Sequence, residues 1–156
     1  MLHFPVLLEE SVDFLVNKKE GNYIDCTYGR GGHTQKILET LTSNSQLTSF
    51  DKDGDAIEHA NNIQNTNFKI IQDSFSNINK YFSKDSVDGI LYDLGTCSTH
   101  FDDASRGFSF RHNGPLDMRF DTKKGKPLAD WINKATENDI KAVSYTHLTL
   151  PTILLV

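Results

Sequence analysis

The sequence predicts an α/β fold on a parallel sheet, and two observations carry the prediction. The stretch 22–33 reads as a strand, a glycine loop and the start of a helix. Tyr23 and Ile24 are apolar, Asp25 stands near the strand's carboxyl end, and Gly29, Gly31 and Gly32 let the backbone turn sharply and approach a ligand. Three further short apolar runs, 47–50, 68–72 and 87–91, alternate with stretches of helical spacing, the pattern that builds parallel sheets. Strand, glycine loop and helix together form the opening of a nucleotide-binding βαβ unit.

The composition sets the outer bounds. A chain of 156 residues, 37% hydrophobic and 24% charged, is of one-domain length and can bury a real core. No apolar run approaches the roughly 20 residues of a membrane helix. Glu9, Glu10 and Asp13 stand where a signal peptide is basic and apolar, so the expected location is the cytoplasm, with no membrane partner. Cys26 and Cys97 have no metal-ligand spacing and cannot make a disulfide framework, and no metal site is expected. A net charge of −5 argues, taken alone, against nucleic acid. The charge is uneven, however: residues 1–101 hold 8 Lys and Arg against 14 Asp and Glu, whereas residues 102–126 hold 6 against 4.

In chain order, residues 2–16 are expected to form a helix, with Pro5 in its first turn and Leu7, Leu8, Val12, Phe14 and Leu15 on its apolar side. After the glycine loop, Ile37, Leu38 and Leu41 recur at helical spacing over 33–41. A dinucleotide fingerprint would have its third glycine at position 34, where Thr34 stands. That spacing favours an adenosine ligand without a pyrophosphate, and S-adenosylmethionine is the common one. Asp51 closes the second strand 19 residues after Gly32, where a carboxylate can accept both ribose hydroxyls. Helix capping is the alternative for the acidic run ahead of a helix at 56–63; ribose binding is assigned to Asp51 and capping to Asp53 or Asp55.

The third strand leads into Asp73-Ser74-Phe75, and Phe75 either lies against the base or joins the core. The fourth ends in Tyr92-Asp93-Leu94-Gly95, which puts Asp93 at the topological switch point of the sheet. There Asp93 could orient an acceptor amine, take its proton, or bind the amino-acid part of the cofactor. In residues 101–121, Arg106, Arg111 and Arg119 are interleaved with Phe108, Phe110 and Phe120, which suits phosphates and unstacked bases. The alternative is a loop whose phenylalanines enter the core and whose arginines pair with Asp102, Asp103 and Asp117. Beyond Pro127, Leu128, Trp131, Ile132 and Ile140 suggest helices of a second, smaller unit. Residues 144–156 contain no Lys, Arg, Asp or Glu and read as a β-prone apolar tail expected to lie outside the fold.

Six stretches resemble one family: Phe4-Pro-Val-Leu-Leu-Glu-Glu10, Tyr23-Ile-Asp-Cys-Thr-Tyr-Gly-Arg-Gly-Gly-His33, Phe50-Asp-Lys-Asp53, Asp93-Leu-Gly95, Arg106-Gly-Phe-Ser-Phe110 and Gly114-Pro-Leu-Asp-Met-Arg119. As far as about Val143 the chain is similar to the MraW/RsmH family, bacterial methyltransferases that modify a cytosine of small-subunit (16S) ribosomal RNA on its exocyclic amino nitrogen. The resemblance implies a class I S-adenosylmethionine-dependent methyltransferase (Rossmann-like) sheet, incomplete here, with the start of an inserted helical domain. It divides the chain into a cofactor-binding part at 1–100, a substrate-facing loop and the start of the inserted domain at 101–143, and the tail at 144–156. It implies that Gly31, Gly32, His33, Asp51, Phe75 and Asp93 contact S-adenosylmethionine. A further family contact is a glutamine, in whose place His100 stands, and the family's Val-Ser-Ser-Pro is replaced by Thr96-Cys97-Ser98-Thr99.

With this reading, Arg106, Phe108, Arg111 and Arg119 are candidates for binding small-subunit ribosomal RNA, and Asp93 for holding the amine. Two other functions compete. A cytosine-C5 methyltransferase would need a cysteine nucleophile, for which Cys97 is the candidate, although a small buried cysteine is the plainer account. A fragment of a longer enzyme could bind S-adenosylmethionine and catalyse nothing.

Overall fold

The computed structural model describes residues 5–148. Helix α1 (Leu8–Leu15) precedes β1 (Asn22–Asp25), α2 (Gly32–Thr40), β2 (Gln46–Asp51), α3 (Gly54–Ala60), β3 (Phe68–Gln72) and β4 (Gly89–Leu91). All strand pairs are parallel and the order is β3-β2-β1-β4, so the chain reverses its direction of travel across the sheet between β1 and β4. The register pairs Ile24 with Thr48 on one side and with Ile90 on the other. Three short helices follow: α4 (Ser98–Asp102), α5 (Leu128–Ile132) and α6 (Glu137–Leu148).

The two-residue period of β1 and β2 divides the core between the two faces of the sheet. Tyr23 and Leu47 pack with Val12 of α1 and Ile37 of α2. Ile24 and Phe50 face the other way with Cys26 and Ile71, and Phe75, Ile78 and Phe82 cover them. Each such fully buried side chain contributes roughly 1.5–3 kcal/mol.

At the carboxyl end of β1 the core turns polar. The hydroxyl of Thr34 donates to Asp25 Oδ2 at 2.7 Å, so the Ser49 hydroxyl, also 2.7 Å away, donates to Thr34. The Thr27 amide donates to Asp25 Oδ1 at 3.1 Å. Burial pushes the Asp25 carboxyl up, and the bonds from Thr34 and Thr27 oppose that. Thr34, standing where a dinucleotide site has glycine, thus ties α2 to β1 and β2.

The expected elements shift at their ends. The first helix begins only at Leu8, after Leu7 in the left-handed region at φ 50°. Pro5 is not in its first turn, because it packs over the glycine loop, where a Cβ on Gly32 would fall on Pro5 Cγ. Within α1, Val12 is buried and Phe14 is 92% exposed, since Leu8, Val12 and Leu15 share one face and Phe14 lies off it. Strand β4 starts at Gly89 rather than residue 87; at Asp88 the side chain takes the Asn22 amide and Lys18 while the Asp88 amide donates to the Asn22 carbonyl. Residues 144–148 continue α6 rather than forming a β-prone tail, and the rest of that stretch, 149–156, lies outside the described residues. Leu2 and Phe4 lie outside them too.

Thr34→Val keeps the shape of the side chain but leaves Asp25 Oδ2 and the Ser49 hydroxyl without their buried partner. Urea denaturation should show a loss of about 1–3 kcal/mol.

Candidate functional site

The carboxyl ends of the four strands open into a cleft of about 490 Å³. Its floor is the loop from Cys26 to Gly29 with Gly32 and His33, and its sides come from Asp51 and Lys52, Asp73 to Phe75, and Asp93 to Cys97. Pro5, Val6, His100 and Phe120 complete the wall. Of the residues expected at the cofactor, Gly32, His33, Asp51, Phe75, Asp93 and His100 line this cleft. Gly31 does not: it caps α2 at φ 78°, and a Cβ there would come 2.6 Å from the Tyr28 hydroxyl, which meets His59 Nδ1 at 2.8 Å.

Asp51 holds the glycine loop open. Its Oδ2 accepts the Gly29 amide at 2.8 Å and its Oδ1 the Asp53 amide at 2.9 Å. The N-cap of α3 is Asp53, whose side chain accepts the Asp55 amide, so capping falls to Asp53 and leaves Asp51 to the cleft. Phe75 is half-buried: it packs on the core beside Ile24 and Phe50, meets Tyr92 edge-on at 5.4 Å, and also lines the cleft.

Across the switch point, the Asp93 amide donates to Thr27 Oγ1 at 2.9 Å, which fixes the backbone and leaves the carboxylate 42% exposed. His33 is buried beside it. Its Nε2 lies 3.2 Å from the Val6 carbonyl, which can only accept, so Nε2 carries a proton. Its Nδ1 is 3.6 Å from Asp93 Oδ2. Cys26 lies in the same wall; burial pushes its thiol up to about 11 despite a hydrogen bond with Tyr92.

The largest departure from the sequence reading concerns Arg106 and Phe108. Arg106 is buried, and its Nη1 lies 3.3 Å from both Asp53 oxygens and 3.1 Å from Asp55. Its Nη2 donates to the Arg119 and Phe120 carbonyls, and its Nε is buried without a partner among the described residues. That guanidinium is committed to the protein and is not offered to a phosphate. Phe108 is half-buried and packs at a tilt against His100 and Phe120, at 5.2 and 5.3 Å. Arg111 is exposed and lines no cleft, Phe110 is fully exposed, and Arg119 forms a two-pronged pair with Asp117. Of the alternative loop reading, the Arg119–Asp117 pair is present, Phe108 and Phe120 pack on His100 rather than in the core, and Asp53 and Asp55 are unforeseen partners of Arg106.

His100 explains why. Its Nδ1 accepts the Cys97 amide at 3.2 Å, so the ring proton sits on Nε2 and is donated to Asp53 Oδ2 at 2.6 Å. Burial pushes the Asp53 carboxyl up, but the bonds from His100, the Asp55 amide and Arg106 outweigh it and bring it down to about 2. Nothing local to His100 or Arg106 names Asp53 as their partner, because the contacts span 47 and 53 residues.

A sequence model of the MraW methylase family matches residues 1–148. The ribosomal RNA small subunit methyltransferase H of Nitrosomonas europaea is 46% identical over 149 residues, covering 94% of this chain and 47% of that one. The protein of the same name from Polynucleobacter asymbioticus is 46% identical over 154 residues, 93% of this chain and 49% of its own. The chain thus spans about half the length of the curated relatives it matches. An rRNA methylase structure from Streptococcus thermophilus superposes with a TM-score of 0.41 at 24% identity, over 53% of this chain and 50% of that one.

The Asp53 cluster gives the stability a distinctive acid limb. A carboxyl lowered in the folded state contributes stability above the unfolded value near pH 4, and loses it as the pH falls through the folded value. Asp53→Asn should cost about 3–5 kcal/mol at neutral pH, since it leaves a buried guanidinium short of its counter-ion. In urea titrations across pH, the gap between wild type and variant should close between about pH 5 and pH 2.

Proposed function

Since the chain belongs to the MraW methylase family, we propose that its cleft binds S-adenosylmethionine. We propose further that the enzyme built around it methylates the exocyclic amino nitrogen of a cytosine in small-subunit (16S) ribosomal RNA, in the cytoplasm. One observation supports this most. A glycine loop, a strand-end carboxylate, an aromatic ring and a second, exposed carboxylate meet in one cleft at the switch point of a parallel sheet.

The residues present fit the cofactor. A cleft of about 490 Å³ is of the size that holds small ligands. Each Asp51 oxygen accepts one backbone amide and keeps a lone pair for a ribose hydroxyl. Phe75 offers the adenine an apolar neighbour already held by Tyr92. His100, where the family has a glutamine, lines the cleft with both ring nitrogens engaged by Asp53 and Cys97.

When bound, the cofactor supplies an electrophilic methyl group on a sulfonium. Transfer of that methyl to the cytosine amine would release the neutral thioether and one proton, and this chain's residues would have to align the amine and take up that proton. Asp93 accepts a hydrogen bond from the amine, turns its lone pair toward the methyl, and receives the proton released. The Thr27 hydroxyl fixes the Asp93 backbone by accepting its amide, and His33 Nδ1 lies 3.6 Å from the carboxylate. Alignment of this kind can supply on the order of 7–11 kcal/mol of the barrier.

Calorimetric titration of S-adenosylmethionine into the purified chain should show one saturable site. Asp51→Asn should weaken it by about tenfold or more, equivalent to ~1.4 kcal/mol, with the circular dichroism unchanged. Binding without methyl transfer to 16S ribosomal RNA would favour a cofactor-binding piece that needs the remainder of the family's length, a reading supported by the half-length match.

Cys97 lines the cleft four residues past Asp93, which keeps the C5 reaction in view. Under the amine mechanism Cys97→Ala retains methyl transfer, and its loss together with a covalent RNA adduct in the wild type would establish the thiol as nucleophile. Nucleoside mass spectrometry separates the two products.

A further inference from the structure

Beside the cofactor cleft lies a second one of about 450 Å³. The two share a wall made by Lys52, Asp73, Ser74 and Phe120, and the second is completed by Gln72 together with Met118, Arg119, Asp121, Lys124 and Gly125. None of the mechanism above uses it.

Its charges are unequal in availability. Lys52, Arg119 and Lys124 face two carboxylates, both already engaged: Asp73 accepts from the Ser74 amide, Asn77 and Tyr81, and Asp121 from the Lys123 amide and Lys124. Arg119 is held by Asp117. Lys52 forms no ion pair with a carboxylate among the described residues; its ammonium lies 5.4 Å from the centre of the Phe120 ring. The Lys124 ammonium reaches Asp121 from a side chain that is 74% exposed, so it turns readily to a ligand.

Its apolar part is built with strain. Met118 sits at φ 58° and is 42% exposed, an unusual backbone for an unbranched residue that is not glycine. Its amide is fixed by the Arg106 carbonyl at 2.9 Å, and the Arg119–Asp117 pair closes the turn around it. Strained residues of this kind persist where the surroundings over-determine them, and they gather at ligand sites. Here the strain places a thioether beside Phe120 in a cleft rimmed by ammonium groups. The wall does not drift, because Arg106, buried against Asp53, holds the carbonyls of Arg119 and Phe120.

Resting on the ribosomal RNA acceptor proposed above, we propose that this second cleft is the subsite for a nucleotide flanking the methylated one. Its phosphate lies on Lys52 and Lys124, and its unstacked base lies against Met118 and Phe120. An ammonium pair next to flat or polarisable apolar groups is the chemistry that single-stranded RNA recognition requires. Continuity with the cofactor cleft lets one strand occupy both.

The test is fluorescence anisotropy of a labelled single-stranded oligoribonucleotide of about ten nucleotides with the full chain. S-adenosylmethionine titration runs in parallel on the same samples. Met118→Gly removes the side chain at a φ that glycine adopts freely, so folding is not at risk. Lys124→Glu reverses a charge in the second cleft alone, and Arg111→Glu reverses one outside both. Met118→Gly and Lys124→Glu should each weaken the oligonucleotide by about fivefold or more while leaving cofactor affinity unchanged. A wild type that binds cofactor but no oligonucleotide would overturn the subsite. So would an affinity lost in Arg111→Glu and untouched by the other two. If cofactor binding alone is missing while the dependence on Met118 and Lys124 stands, the cofactor reading fails and the subsite is supported.

Discussion

The last third of the described chain is joined to the rest around one buried carboxylate. Asp53 caps α3, accepts the Nε2 proton of His100, and faces the guanidinium of Arg106. A carboxylate out of water is tolerated only with full pairing, and here each partner comes from a different stretch of chain. His100 brings the turn after β4, through its bond from the Cys97 amide, and Arg106 brings the carbonyls of Arg119 and Phe120. Beside that junction, the Arg106–Asp55 pair and the Lys52 ammonium over the Phe120 ring also tie residues beyond Cys97 to the earlier chain.

The sheet itself is anchored differently at its two ends. Near the amino ends of the strands, Asp88 ties the start of β1 to Lys18 at the surface. At the carboxyl ends the ties are buried and polar, through Asp25, Thr34 and Ser49, and through Asp51 to the glycine loop. Carboxylates and hydroxyls are thus concentrated where a polar ligand would displace water, and the apolar packing lies behind them. The same end of the sheet carries both the rigidity and the chemistry.

Much of this was legible in the sequence because it is local. The glycine loop between Asp25 and His33, Asp51 closing a strand and Asp93 before a glycine are each short patterns with a backbone cause. The structure puts all but Gly31 of the expected cofactor residues around one cleft. Pairings across long separations were not legible. Arginines interleaved with phenylalanines look the same whether they face RNA or fold inward. Only the position of Asp53 decides that Arg106 is internal and that Arg119 is left at a cleft wall. The start of α1 was misplaced for a related reason: Pro5 suits a helix's first turn, but the contact that claims it is with Gly32, across the loop.

The state of Cys26 has a consequence for chemical safety within the cleft. A thiolate is a strong nucleophile, and a sulfonium methyl is an electrophile that does not discriminate between an RNA amine and a nearby sulfur. Burial holds the Cys26 thiol up at about 11, so at neutral pH it stays in the unreactive thiol form. Cys26 is therefore kept from acting as the acceptor of a methyl donor held beside it.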